Sequence, residues 1–250
     1  MEINKLQTII ELIKKGENLA FLIGSGCSID SPSNLPNAKS IMKELIEFSC
    51  LESEFNPLMD LVRKDKVRFE KLIEILQDNF DKNLKILEFF SQCKIPNNNH
   101  LFIAQMIITG CDVFTTNFDN LIEEALIILC KDENRIKPII TLDDYKNIFT
   151  KENNSDTEFY TVYKLHGSIN NIITKEDIRG SIIATLTSLG RSSQISNDFI
   201  LPEPKLKIFE SSIEERYLII MGYSGSDDFD IIPSLINAKN IKGIIWIDHS

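Results

Sequence analysis

The stretch Asn18-Leu19-Ala20-Phe21-Leu22-Ile23-Gly24-Ser25-Gly26-Cys27-Ser28 decides the fold class. A short apolar run closed by a small-residue turn reads as a strand feeding directly into a tight connection. Two later β-rich runs, Asp112 to Thr116 and Thr161 to Leu165, also end in polar side chains: Asn117-Phe118-Asp119 after the first, His166-Gly167-Ser168 after the second. Tyr217 to Met221 ends in a further Gly/Ser turn, Gly222-Tyr223-Ser224-Gly225-Ser226-Asp227, which opens a helix, and Ile241 to Ile247 reads as another strand. Open parallel sheets bind ligands just beyond the carboxyl ends of their strands. Strand ends carrying Gly-Ser, Asn-x-Asp and His therefore suggest a nucleotide pocket with a catalytic imidazole.

Between these runs the pattern changes. Ser31-Pro32-Ser33-Asn34-Leu35-Pro36 is loop chemistry, and its place beside the Gly24 turn makes Ile29 to Asn37 a candidate lid. From Ala38 to about Ile108 the apolar spacing is helical: Ile41/Leu45/Ile46, Phe69/Leu72/Ile73/Leu76 and Leu84/Leu87/Phe90. After Thr116, a helix is expected from Asp119 to Leu129, a short β run at Ile139 to Leu142, and a polar surface loop from Lys151 to Asp156. Ile169 to Pro204 suggests loops and short elements covering the site. The expected fold is α/β: a Rossmann-like parallel sheet, built from residues 1–37 and 109–250, with a helical subdomain at 38–108 inserted and its last helix returning to the sheet. The chain ends at Ser250 just after a strand, so a further domain beyond it is expected.

The 250 residues suit one large domain or a domain with an insertion, and 43% hydrophobic and 26% charged residues are ordinary for a globular protein. A formal charge of −10 argues against direct, sequence-independent nucleic-acid binding. It leaves room for a polyanion held by backbone N–H groups at a helix N-terminus. Met1 to Lys15 reads as an amphipathic helix with Ile3, Leu6, Ile9, Ile10 and Ile13 on one side, and lacks the features of a signal peptide. No membrane span is indicated. Five scattered cysteines without a Cys-x-x-Cys pair give neither a disulfide framework nor a zinc ribbon. Buried free thiols in a reducing cytoplasm are the expectation.

Read singly, these motifs stay open. Gly24-x-Gly26 lacks the third glycine of the dinucleotide fingerprint, where Ile29 stands, and serves equally as an ordinary strand-to-helix turn. Its Ser25, Cys27 and Ser28 are nevertheless small enough to let a pyrophosphate approach the backbone. Asp119 reads as a site residue or simply a helix cap, and Gly222 to Ser224 as a ligand turn or the start of a helix capped by Ser226 or Asp227. His100 and His249 take the default structural reading. His166 follows a strand directly and precedes a glycine that would leave room for substrate, which makes it the candidate general base.

Together the segments resemble the Sir2 family. Gly24-Ser25-Gly26-Cys27-Ser28 is similar to its Gly-Ala-Gly-x-Ser turn, Thr115-Thr116-Asn117-Phe118-Asp119 to its Thr-Gln-Asn-x-Asp signature, His166-Gly167 to its His-Gly pair, and Gly222-Tyr223-Ser224 to its later Gly-x-Ser turn. The closer likeness is to the SIR2-like NAD-consuming branch of bacterial defence proteins. The resemblance implies NAD⁺ as substrate, with Asn117, His166 and Asp119 catalytic and Gly24, Ser25, Gly26, Cys27, Ser28, Thr116, Gly222 and Ser224 binding. Deacetylating sirtuins carry four zinc cysteines after the His-Gly segment, whereas this chain has none after Cys130. That departure points to no metal and to hydrolysis of NAD⁺ into nicotinamide and ADP-ribose, in an antiphage effector held off until triggered. A homo-oligomer or a regulatory sensor domain or partner protein would supply that control. The rival readings are a non-catalytic sensor of NAD or an ADP-ribose derivative, and an NAD-dependent ADP-ribosyltransferase or deacylase.

Overall fold

The computed structural model describes residues 5–64, 66–150, 159–183, 201–225 and 230–247. Strands β1 (Leu19–Ile23), β2 (Asp112–Thr115), β3 (Ile136–Ile139), β4 (Tyr160–Lys164), β5 (Tyr217–Met221) and β6 (Gly243–Ile247) form one sheet. Its order is β3-β4-β2-β1-β5-β6, and every neighbouring pair is parallel. The helices are α1 (Lys5–Lys14), α2 (Ala38–Ser49), α3 (Glu52–Arg63), α4 (Phe69–Asn79), α5 (Phe89–Gln92), α6 (Asn98–Ile108), α7 (Leu121–Cys130), α8 (Leu142–Thr150), α9 (Glu203–Ile213) and α10 (Ile231–Asn237). This is the expected Rossmann-like parallel α/β architecture.

β1 is buried along its whole length because both faces of the sheet are covered. Alternation assigns its side chains to two cores. Leu19, Phe21 and Ile23 pack with Ile9 and Leu12 of α1, Ile103 and Ile107 of α6, and Ile122 and Leu126 of α7. Ala20 and Leu22 face Tyr145 of α8, Phe209 and Ile213 of α9, and Ile231 of α10. Each fully buried Phe, Leu or Ile of this strand contributes roughly 2 kcal/mol by area removed from water.

A third core joins α2 to α5 through Ile41, Met59, Ile73, Leu87 and Phe90. It also takes in Leu121, Ile169 and Ile182 from segments that follow β2 and β4, which places these helices beyond the carboxyl ends of those strands. No strand occurs in 38–108 among the described residues, and α6 returns to the sheet as expected.

Some local expectations shift. The third β run lies at Ile136–Ile139, not Ile139 to Leu142, and Leu142 instead opens α8. Pro138 breaks the sequence signal but is tolerated because β3 is an edge strand paired only with β4. Leu84, Leu87 and Phe90 do not share one helix. Leu84 has φ +51°, followed by a 3-10 turn and the short α5. In α1, Ile9 and Leu12 are buried, whereas Ile10 and Ile13 are exposed. The expected loop at Lys151 to Asp156, and residues 184–200 of the covering segment before Pro204, lie outside the described residues, as do His249, Ser226 and Asp227. No helix among the described residues is long and apolar enough to cross a membrane.

Candidate functional site

The chain leaves β1 for β2 on one side and much later returns to β1's other side as β5. The strand order therefore reverses around β1, and the crevice beyond its carboxyl end is where ligands bind in such sheets. Two glycine turns interlock there. The Gly24 N–H donates to Met221 O at 2.9 Å, the Gly26 N–H to Gly222 O at 2.7 Å, and the Cys27 N–H to Gly24 O at 3.1 Å. A Cβ on Gly24 would stand 2.5 Å from Gly222 O, and one on Gly222 would stand 2.4 Å from Cys27 N. Gly222 also has φ +62°, which an L side chain adopts only with strain. These glycines exist so that two backbones can touch.

A concave pocket opens beside them, and Ser25, Ser28, Thr116, Asn117, Asp119, His166, Gly222 and Ser224 all line it. Gly24, Gly26 and Cys27 do not. Their N–H groups are engaged within the turns, so they shape the pocket from beneath. Burial pushes the Cys27 thiol up to about 12, with the charges of Asp119 and Asp30 adding to the effect. Alkylation of Cys27 by iodoacetamide in the native protein at pH 8 is expected to be at least about a hundredfold slower than in the urea-unfolded chain. Peptide mass spectrometry after timed quenching reads this, and comparable rates would show an accessible thiolate instead.

Asn117 is fixed from several sides. Its N–H donates to Thr115 Oγ1 at 3.1 Å, and its Nδ2 donates to Gly24 O at 3.2 Å and Ser28 Oγ at 3.3 Å. Its Oδ1 is buried without a hydrogen-bond partner. Ser28 Oγ donates to Asp119 Oδ2 at 3.0 Å, while Asp119 Oδ1 accepts the Leu121 N–H at 3.1 Å. Asp119 thus accepts the first N–H of α7 and lines the pocket at once.

His100 belongs to the same network, which its sequence position did not reveal. Its Nδ1 accepts the Asn97 N–H at 3.2 Å, so Nε2 carries the proton and donates to Ser28 Oγ at 3.1 Å. Ser, His and Asp therefore meet here without forming a nucleophilic triad: the imidazole donates to the hydroxyl and cannot deprotonate it. Burial holds the His100 pKa below its ordinary value, against the opposing pull of Asp119. Beneath the Asn117 to Asp119 segment, the fully buried Lys164 donates to Asp119 O and lies 3.4 Å from Glu123 Oε1.

His166 stands at the end of β4, with Nε2 3.2 Å from Asp230 Oδ1. Asp230 carries no sequence motif. The glycine after His166 has a different reason from the expected room for substrate. Gly167 has φ +83°, and a Cβ there would stand 2.2 Å from Ser181 O. The Ser181 segment clamps this turn, with Ser168 N donating to Ser181 Oγ at 3.1 Å and Ile183 N to His166 O at 2.9 Å.

The Ile29 to Asn37 loop contributes Leu35 and Pro36 to the wall. It is pinned by Leu35 N to Ser28 O at 2.9 Å and by Asn97 Nδ2 to Asp30 O at 3.2 Å. Phe69, Phe90 and Phe118 add an apolar side, Phe90 meeting Phe118 edge-on at 5.7 Å between ring centres. No lysine or arginine lines the pocket among the described residues, whereas Glu70, Asp119 and Asp230 do. Among those residues no group of three or more His, Cys, Asp or Glu could hold a metal ion.

The profile of the SIR2-like domain matches residues 112–239, just over half of the chain. A search of curated proteins finds no match. Among solved structures, a His-to-Tyr mutant of Sir2 with a p53 peptide and NAD aligns over 98% of this chain and 86% of its own, at 13% identity and a TM-score of 0.45.

Proposed function

The chain belongs to the SIR2-like domain family, and on that premise we propose that it is an NAD⁺ glycohydrolase, releasing nicotinamide and ADP-ribose. The observation that carries the reading is the buried, unpartnered Oδ1 of Asn117 in the wall of a pocket that also holds His166. A buried acceptor without a donor costs about 1–3 kcal/mol, and a ribose hydroxyl or the attacking water would satisfy it. In this reading residues 1–37 and 109–250 form the binding core, and the helical insertion at 38–108 walls it.

The substrate suits the charge pattern. The nicotinamide of NAD⁺ is cationic, and the transition state spreads positive charge over the ribose. Carboxylates at Asp119, Asp230 and Glu70 favour that charge, whereas a lining lysine or arginine would oppose it. The nicotinamide–ribose bond breaks with its electron pair passing to the ring nitrogen, which neutralises the leaving group. Water then bonds to the ribose carbon and gives its proton to His166, while Asn117 holds water and ribose in line. The Gly24 and Gly222 turns let the pyrophosphate and adenosine lie close to the backbone beside Ser25, Ser28 and Ser224. An effector role in antiphage defence, depleting NAD⁺ under control of an oligomer or a sensor partner, follows from the family resemblance.

Incubation of the purified chain with NAD⁺, followed by chromatography, is expected to give nicotinamide and ADP-ribose in equal amounts, unchanged by EDTA. Acyl-lysine peptide is expected to remain intact. NAD⁺ binding without cleavage would establish the sensor reading instead, and peptide-dependent turnover the deacylase one.

A further inference from the structure

We propose that Asp230 is the positioning residue of this site: it fixes His166 in the tautomer with the proton on Nε2 and leaves Nδ1 as the base. The inference rests on the hydrolase reading for its kinetic consequence, but not for its structural one.

Three observations carry it. First, Asp230 Oδ1 lies 3.2 Å from His166 Nε2, with the carboxylate side chain only 3% exposed and the imidazole 16%. A carboxylate is an acceptor only, so the bond requires a proton on Nε2 and assigns the lone pair to Nδ1. Second, Asp230 occupies the N-cap position of α10, where an aspartate ordinarily accepts a backbone N–H of the first turn. Its side chain makes no such capping bond. The Asp230 backbone is separately fixed, since its carbonyl accepts Ser234 Oγ at 2.6 Å.

Third, Lys205 of α9 braces the pair from behind. It is 2% exposed, and its Nζ donates at 2.5 Å to the carbonyl of Leu165, the residue immediately before His166. Burial pushes the Lys205 pKa down to about 8, and the negative charge of Asp230 opposes that fall. One buried ammonium group thus holds the backbone that presents the imidazole and feels the carboxylate that orients it. Sequence gives no hint of this, because Lys205 and Asp230 lie on either side of β5 and neither belongs to a recognisable motif.

The chemical consequence is specific. As the imidazole accepts a proton from water at Nδ1, positive charge forms on a ring whose far nitrogen already donates to a carboxylate. Asp230 stabilises that charge without taking the proton itself. An asparagine at this place can present its NH₂ to Nε2, which moves the imidazole proton to Nδ1 and occupies the lone pair assigned here as the base.

The test compares Asp230→Asn, Asp230→Glu and the unaltered protein. Nitrogen-15 NMR of the His166 ring reads the tautomer, with His166→Ala identifying its signals. The unaltered protein is expected to carry its proton on Nε2, and Asp230→Asn to shift it to Nδ1. In NAD⁺ hydrolysis, Asp230→Asn is expected to lose at least about a hundredfold in kcat with KM changed less than about threefold, and Asp230→Glu to recover part of the loss. A proton on Nδ1 in the unaltered protein overturns the proposal, and so does wild-type kcat in Asp230→Asn. If Asp230→Asn does not fold, the spectrum of the unaltered protein still decides. If the unaltered protein cleaves no NAD⁺, the hydrolase reading fails while the tautomer result stands on its own.

Discussion

Replacement of His166 by alanine is expected to lower NAD⁺ turnover by between about a hundredfold and ten-thousandfold, the range a positioned general base supplies. The melting temperature should fall modestly, because truncation takes the Nε2 donor from the Asp230 carboxylate, whose side chain is 3% exposed. Asn117→Ala is expected to be as severe for turnover and to carry a structural cost of its own. It removes the Nδ2 donor to Gly24 O and Ser28 Oγ, which amounts to about 1–2 kcal/mol. Measured side by side, turnover and thermal denaturation show for each residue whether the activity lost exceeds what the lost stability explains. Wild-type turnover in either variant would remove that residue from the mechanism.

The second large effect is expected at Gly222. In Gly222→Ala the new methyl would stand 2.4 Å from the Cys27 nitrogen, and neither backbone is free to yield. A left-handed alanine costs about 1 kcal/mol, and the collision adds about 1–3 kcal/mol more. Melting should fall by roughly 6–12 °C, with NAD⁺ binding lost because the turn that closes the pocket has moved. Gly16→Ala is the control. Gly16 has a similar φ of +69° but nothing within 4 Å of its would-be Cβ. It should lose only the conformational part, and equal losses at the two positions would show that close approach is not what Gly222 serves.

The sequence was most legible where one element carried its own signal. β1, β2, β4 and β5 are apolar or β-branched runs closed by turn residues, and their reading was correct to within a residue or two. Asn117, Asp119 and His166 at their ends line the pocket for the same reason: a polar side chain soon after a buried strand has little choice but to face the crevice. β3 was misplaced because Pro138 conceals a strand whose edge position makes the proline harmless. The third helical repeat failed because spacing alone does not register Leu84 turning left-handed. Asp230, Lys205 and the engagement of His100 with Ser28 were not legible at all. Each depends on which strands are neighbours, and β5 lying against β1 is a fact of topology that no local pattern encodes.

That adjacency also determines when the pocket comes into being. The Gly26 N–H finds its acceptor in Gly222, and His166 finds its carboxylate in Asp230, in both cases across a long stretch of chain. A nascent chain emerging from the ribosome displays Asn117 and His166 well before the strand that completes their surroundings has been made. Contacts between such distant residues form late in folding. A fragment interrupted before Tyr217 would contain the residues of β1 to β4 but neither the second glycine turn nor the Asp230 carboxylate. On the proposed hydrolase reading, synthesis itself would then act as a safety catch: a broken or half-made copy would leave NAD⁺ untouched, and only a chain that includes β5 and Asp230 could draw on it.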